Sequence, residues 1–566
     1  MKKPTTRFLV VSIALFLLAM AFFWLRPIGI IHWTVMAFYK NPLVWKAPLL
    51  LGLLAFLAFA VPQTVKVLRA GKKEEPAPDA EEKDPYYYSP RRARGKDRLW
   101  PKYLPLVRRN SYGESKPSRG LTAALIVMPL AFVLALIVQG PLNSRATYEH
   151  YSFSQIAELP ETKSARIMPF EVAEQISSSG FDSSTERLAQ LHVVLDAEGR
   201  MLWTYGQVPD GIIRRWSKKT QGMVSQPADI TSRELTVTEQ EMRVSPDVSL
   251  TDSVTWQAYK ENFFSEIAAT TFMLDDQGEP VIVAPYIEYE GFWTKVPVLG
   301  GVLLVRPDGE IKDLSPEQAA TLPFLARSGQ LVPASLARTV QESYKYKGGI
   351  LNRFFVHDDQ TELPSTGASN QQPYLTSFRG MAPQWVSSAE PYGRSYATKA
   401  VFLTDSVSGQ TRVWSPAENS SLSGPAKALD VVKGLAIPGI LFSKFRAIEP
   451  RPIVHDGRLQ FVVSVVPNTF NTVTKTVIVD AASNKAVATF NHDTDPGADK
   501  ALREYIAGKD VVTTAAEIKE TGETDSSIPS LPAEPAGQKQ LIENLIESNQ
   551  KQRELLEELR RQLASP

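Results

Sequence analysis

Three apolar runs, at residues 8–25, 47–65 and 121–138, constrain this chain more than any other feature. A bilayer core is crossed by about 20 mostly apolar helical residues rising 1.5 Å each, and each run comes close to that length. The first follows Lys2, Lys3 and Arg7 in the manner of a secretory signal, yet it lacks a small-residue cleavage site. It continues into Trp24-Leu25-Arg26-Pro27 and so reads as a retained anchor. Residues 28–45 are broken by His32, Lys40, Asn41 and Pro42 and carry Trp33, Tyr39 and Trp45, which favour the membrane–water boundary. The length rule therefore places this segment at the interface rather than across the bilayer.

Orientation follows from residues 66–120, which hold fifteen Lys/Arg against eight Asp/Glu, most densely at Arg91, Arg92, Arg94, Lys96 and Arg98. The positive-inside rule assigns such a loop, and the basic N-terminus, to the cytoplasm. Three spans then put residues from 141 onward outside it; a fourth span at 28–45 would reverse the parity. Basic clusters beside a membrane helix also attract anionic lipid headgroups, at about 1 kcal/mol per charge. Tyr86, Tyr87, Tyr88, Trp100 and Tyr103 are placed to sit among those headgroups. Lipid contact and simple topology-setting both account for the loop.

Over the whole chain 62 Lys+Arg face 61 Asp+Glu, a net charge of +1, so no nucleic-acid partner is expected. The absence of cysteine excludes disulfides, thiolate nucleophiles and Cys-ligated metals. No phosphate-binding Gly-x-x-x-x-Gly-Lys loop, Gly-x-Ser-x-Gly elbow or His-Glu-x-x-His helix occurs. No catalytic residue, cofactor or metal is assigned.

Residues 141–508 are long enough for two or three domains. Helices are predicted at 169–179, 252–268, 315–326, 333–346, 425–445 and 497–506, several opening on Ser, Asp or Pro as helix starts do. Between them an apolar β-rich run, an Asp-bearing turn and a second run recur. The turns are at Asp196/Gly199, Asp275/Gly278, Asp308/Gly309, Asp405/Gly409 and Asp480/Asn484, the signature of hairpins. Their irregular spacing argues against a propeller or solenoid and for mixed α+β domains.

The helix carrying Glu171-Val172-Ala173, with the run from Leu191 to Leu195, the turn at Asp196 and the run from Met201 to Tyr205, resembles a PepSY-type helix-plus-hairpin unit. The ending Val479-Asp480-Ala481-Ala482-Ser483-Asn484-Lys485 is similar to that family's closing strand and turn. What the resemblance implies is an extracytoplasmic binding module rather than a catalyst; a generic α+β hairpin accounts for the same residues.

Other patterns point less far. His357-Asp358, His455-Asp456 and His492-Asp493 are adjacent pairs, which point to opposite faces of an extended chain and chelate poorly. Asp493, Asp495 and Glu504 echo a calcium loop, but Gly497 and Ala498 occupy its fifth and sixth positions, and Asp495-Pro496 reads better as a turn and helix start. Leu363-Pro364-Ser365-Thr366-Gly367 matches a sortase pentapeptide without the hydrophobic tail that signal requires. Tyr286, Glu288, Tyr289, Glu290, Phe292 and Trp293 form an aromatic–acidic cluster that either presents rings to a sugar or peptide or packs a strand on the core.

Residues 509–537, rich in Thr, Glu, Ser and Pro, read as a flexible linker. In 538–566, Ile542, Leu545, Asn549, Gln552, Leu556, Leu559 and Leu563 keep the three-four spacing of a heptad seam, pointing to an oligomerising coiled coil or a helix docked on a partner. The expected architecture is α+β. Three N-terminal transmembrane helices (1–140) carry a large extracytoplasmic region of helices and antiparallel hairpins, followed by the linker and a short coiled-coil helix. The expected role is non-enzymatic binding or scaffolding in the cell envelope, as a homo-oligomer in contact with membrane lipids and with an envelope protein or polymer. An envelope-polymer-modifying enzyme and an accessory subunit of a transport or channel complex are the alternatives; against the last, the apolar runs hold almost no ionisable residue.

Overall fold

The structure, a computed structural model, describes residues 4–71, 107–109, 115–117, 119–181, 183–248, 250–364, 372–393, 395–417 and 420–509. The linker at 510–537, the seam residues Ile542, Leu545, Asn549, Gln552, Leu556, Leu559 and Leu563, and most of the basic loop lie outside the described residues, as do Ser365, Thr366 and Gly367.

Four helices open the chain: α1 (Pro4–Leu25), α2 (Gly29–Tyr39), α3 (Pro42–Gly71) and α4 (Arg119–His150). They correct the expectation of three N-terminal transmembrane helices. Among the described residues one helix, Thr122–His150 within α4, is by itself long and apolar enough to cross a bilayer. The second apolar run qualifies only as a pair, α2 with Pro42–Ala58, bent by 59° at its break. In α1 the apolar helix found among the described residues is Ser12–Phe22, shorter than the roughly 20 residues a bilayer core requires. The break between α2 and α3 falls at Lys40-Asn41-Pro42, the residues that also interrupt the apolar pattern of the sequence, where proline cannot donate into the preceding turn.

Helices α3 and α4 pack antiparallel, with Leu43 beside Gln139 and Gly52 beside Met128. Gly52 is required there, because a Cβ would lie 2.4 Å from Met128 Cγ. Along α4 the residues turned inward are small, namely Ala124, Ala131 and Ala135, while Leu130 is 69% and Ile137 67% exposed. This distribution is the inverse of a water-soluble helix and the usual one for helices packing in lipid. Downstream of α3, a short antiparallel ladder joins β1 (Val107–Arg109) to β2 (Ser115–Pro117).

The rest is an α+β body of four sheets. Strands β3 (Phe153–Ile156) and β4 (Thr162–Ala165) leave α4 to become the two edges of a sheet completed much later. Helix α5 (Phe170–Gly180) then lies on a five-stranded sheet of β5 (Glu186–Leu188), β6 (His192–Leu195), β7 (Met201–Pro209), β8 (Thr220–Pro227) and β9 (Thr236–Met242), with α6 (Ile212–Ser217) between β7 and β8. Val172, Ala173 and Ile176 of α5 meet Trp203 and Tyr205 of β7 in the core. Helix α7 (Val254–Glu261) leads to a second five-stranded sheet: β10 (Glu266–Ile267), β11 (Thr271–Leu274), β12 (Pro280–Glu290), β13 (Val296–Val305) and β14 (Ile311–Leu314). The helix predicted at 252–268 therefore ends early, because Glu266 and Ile267 pair with Ile287 and Tyr286.

Helices α8 (Pro316–Ala320), α9 (Pro323–Ser328) and α10 (Ala334–Ser343) follow, then the short α11 (Gly349–Leu351) running into a π-helical turn at Asn352–Val356. A capping box at Ser315 and Gln318 starts α8. Strands β15 (Thr361–Glu362), β16 (Tyr374–Phe378), β17 (Gln384–Pro391), β18 (Ala400–Asp405) and β19 (Thr411–Trp414) complete the seven-stranded sheet, where β3 joins β19 in parallel. Helix α12 (Pro425–Gly434) covers the last sheet of β20 (Phe445–His455), β21 (Arg458–Pro467), β22 (Lys475–Asp480) and β23 (Lys485–Asn491), and α13 (Ala498–Ile506) closes the body. The predicted helix at 425–445 stops at Gly434, ahead of Pro438-Gly439.

The five Asp-bearing turns share one local mechanism. Asp196, Asp275, Asp308, Asp405 and Asp480 each turn a carboxylate oxygen onto a backbone N–H two or three residues ahead, at 2.6 to 3.0 Å. The left-handed position is taken by Gly199, Gly278, Gly309, Gly409 or Asn484. These residues specify turns without help from the rest of the fold.

At the start of α12, Glu390 of β17 is buried and accepts from the Ala426 N–H at 3.3 Å. Burial pushes its carboxyl up to about 7 from an ordinary 4.5. The folded state therefore holds this proton more tightly than the unfolded chain. The associated stability is complete below pH 4.5, falls as pH rises and is gone above about pH 7. After allowance for solvent screening the swing is about 2 kcal/mol. Glu390→Gln is expected to flatten that part of the stability profile and to melt above wild type at pH 8, measured by thermal unfolding of the full chain in nanodiscs.

Candidate functional site

The helix ends converge on one face of the body. Arg26, just past α1, donates to the Lys260 carbonyl at 2.6 Å. His32 of α2 is buried, stacked 3.4 Å from the Tyr259 ring and edge-on to Phe263. Its Nε2 faces the carbonyls of Phe263 and Ser265 at 3.1 and 2.9 Å, so that nitrogen carries the proton. Tyr39 donates to the Tyr289 carbonyl at 3.2 Å and lies against Phe264.

Asn143 of α4 is the hub of this joint. Its Oδ1 accepts from Gln139 at 2.7 Å and from the Lys295 N–H at 2.9 Å, while its Nδ2 donates to the Lys40 carbonyl at 3.0 Å. One amide thus joins α4, the α2–α3 break and the start of β13. Gln139 in turn accepts from the Leu43 N–H at 2.6 Å and donates to the Trp293 carbonyl at 3.3 Å. Further along the chain, Arg145 donates to the Tyr346 carbonyl at 2.5 Å and Tyr151 to the Pro297 carbonyl at 2.8 Å.

A cavity of about 470 Å³ lies within the joint, with Lys40, Asn143, Glu266 and Lys295 among its polar lining and Ile267 and Ile287 among its apolar lining. Glu266 accepts from Lys40 at 2.9 Å and from the Tyr289 hydroxyl at 2.5 Å. Burial pushes its carboxyl up, but the hydrogen bonds from Tyr289 and Lys40 outweigh that and hold it below the usual range. Burial, reinforced by Glu266, raises the Tyr289 phenol, which stays a donor. Lys295 is buried, donates to the Tyr289 carbonyl at 3.0 Å and sits 4.0 Å from the Tyr39 ring centre. A second, more apolar cavity of about 370 Å³ lies between β13, α8, α10 and the β18–β19 turn, lined by Tyr151, Leu299, Leu336 and Val340 among others.

The aromatic–acidic cluster is divided by this geometry. Tyr286 donates to Asp313 at 3.0 Å, Glu288 accepts from Asn262 at 2.6 Å and Tyr289 closes on Glu266, so these residues bind the strand into the body. Phe292 and Trp293 instead sit exposed at the β12–β13 tip, where Lys46 of α3 donates to the Phe292 carbonyl and lies 3.5 Å from its ring centre. The contacts of His32 and Asn143 with this region left no trace in local pattern, because their partners stand more than 100 residues away.

The three His-Asp pairs meet different fates. His357 stacks on Tyr392 and His455 on Tyr505. His492 turns away from Asp493: its Nε2 lies 2.9 Å from the Thr476 hydroxyl and its Nδ1 3.0 Å from Asp499, which also accepts from Thr231. Burial raises the Asp499 carboxyl, but the bonds from His492 and Thr231 hold it below the usual range. The order Thr, His, Asp is that of an acyl-transfer relay, yet Thr476 is fully buried and the trio pins α13 to β22 and to the Thr231 loop. Asp495 of the calcium-like stretch caps the Gly497 N–H at 2.8 Å. Among the described residues no group of three or more His, Asp or Glu is placed to hold a metal ion. Compared with protein-family models and with curated proteins, the chain matches none.

Proposed function

We propose that this protein is a membrane-attached binding and scaffolding component of the cell envelope, which holds its α+β body rigidly against the bilayer outside the cytoplasm. The observation that carries the reading is the inside-out α3–α4 hairpin, with small residues between the helices and large apolar ones outside, bonded at one end into the body through Gln139 and Asn143. Such a surface is stable in lipid and unstable in water. The body end of the hairpin is the end away from residues 72–118, whose basic surplus belongs in the cytoplasm. The likeness of α5, β6 and β7 to a PepSY-type unit supports a binding role for the body. The seam from Ile542 to Leu563 supplies self-association, which anchoring in one membrane strengthens by raising effective concentration.

Two measurements test this, the first using the absence of native cysteine. Ser526→Cys is expected to react with a membrane-impermeant maleimide while the inner membrane is intact; reaction only after lysis would place the body in the cytoplasm and overturn the assignment. Mass photometry of the full chain in nanodiscs is expected to show more than one copy per disc for wild type and one for Leu556→Asp/Leu559→Asp. A single copy in both would remove self-association from the proposal.

A further inference from the structure

A second apolar surface lies beside α4, at residues 349–356. Gly349 adopts φ +89°, a left-handed conformation that turns the chain out of the preceding helical stretch. The π-helical turn at Asn352–Val356 then widens the helix and leaves Phe354, Phe355 and Val356 facing outward together with Leu351. Leu351 is 73% and Phe355 77% exposed. The segment is not loose. Asn352 exchanges two hydrogen bonds with the Asp358 backbone at 2.8 and 2.9 Å, Arg353 pairs with Glu362 at 2.7 Å, and His357 ends the turn in a left-handed conformation stacked on Tyr392. Its polar groups are tied to the body, while four large apolar side chains remain uncovered.

What covers them follows from position. Helix α11 packs on α4, and Arg145 of α4 holds the carbonyls of Tyr346 and Lys347 just before it. Arg145 stands six residues beyond Gln139, where the apolar run ends, a rise of about 9 Å along the helix. Arg145 therefore lies just beyond a headgroup layer roughly 5–8 Å thick on each side of the hydrocarbon core, within the reach of interfacial segments, which bury their apolar side chains to about 5–10 Å. At the level of Gln139 itself the β12–β13 tip carries Phe292 and Trp293, also exposed. The body thus presents two aromatic loops beside α4 near the end of its apolar run, the arrangement of an interfacial belt.

We infer that Leu351, Phe354, Phe355 and Val356 insert into the headgroup region of the bilayer that α4 crosses, giving the body a second point of membrane contact. This rests on the membrane attachment proposed above. The test uses single-cysteine variants Phe355→Cys, Leu134→Cys and Leu441→Cys of the full chain, labelled with an environment-sensitive fluorophore in phosphatidylcholine/phosphatidylglycerol nanodiscs, with and without spin-labelled lipid. Labels at 355 and 134 are expected to lose at least half their emission to the lipid quencher, and the label at 441, in the loop before β20, to keep it. A 355 label indifferent to lipid quencher overturns the inference. It then reports either open solvent, if aqueous iodide quenches it, or a second protein surface, if iodide does not. Equal quenching at 355 and 441 overturns it as well. Loss of lipid quenching at 134 would instead overturn membrane attachment itself, so the two failures are distinguishable.

Discussion

Glu449→Ala is expected to destabilise the α+β body by about 3–5 kcal/mol, the usual cost of removing one partner from a buried ion pair. Glu449 sits at the irregularity of β20 with φ +49°. Its carboxylate accepts from Arg166 at 2.6 Å, from Arg451 at 3.1 Å and from the Phe170 N–H at the start of α5 at 3.0 Å. Arg451 is 1% exposed and also donates to the Ile167 carbonyl and the Ser464 hydroxyl, at 2.9 and 2.6 Å. Burial already pushes its guanidinium down to about 10. Without Glu449 two guanidinium groups remain inside the body with no carboxylate between them. The urea midpoint, followed by tryptophan emission, is expected to fall accordingly. Glu449→Ala/Arg451→Met should recover part of the loss, since it removes a stranded charge with its partner. A loss below about 1 kcal/mol would mean that water reaches the network.

The second large effect concerns the joint. Asn143→Leu keeps the volume of the side chain but removes all three of its hydrogen bonds, leaving the Lys295 N–H and the Lys40 carbonyl without this partner. At roughly 1–2 kcal/mol for each orphaned group the joint loses about 2–4 kcal/mol. The folded body should survive, because its own cores do not include Asn143. Hydrogen exchange at the Lys295 amide is expected to accelerate on the order of 10²-fold, and distances between spin labels on α4 and on the body should broaden. Unchanged protection would show that the His32 stack and the Lys40–Glu266 pair hold the joint by themselves.

These two sites differ from the features legible in the chain. The Asp-bearing hairpin turns were readable because a carboxylate reaches a backbone N–H two or three residues ahead and a glycine or asparagine accepts the left-handed position. The bounds of α5, α10 and α13 followed for a similar reason, since an apolar stripe and a helix start are properties of a dozen neighbouring residues. Where a distant strand competed, local reading failed: Glu266 and Ile267 read as helix until β12 supplies their ladder partners.

The membrane region divides along the same line. Sequence alone located the apolar stretches, because transfer from water depends on composition and length. It showed the interruption at Lys40-Asn41-Pro42 but not that one stretch is long and apolar enough to cross by itself while another joins its neighbour at a 59° bend, where Asn143 holds the Lys40 carbonyl and Glu266 the Lys40 ammonium. The joint was illegible for the same physical reason: His32 meets Ser265 across 233 residues and Glu449 meets Arg166 across 283. Periodicity and turn chemistry are local and survive in the chain as pattern. The choice of partner for a buried polar group is made only when sheets and helices from distant segments close around it and water is excluded.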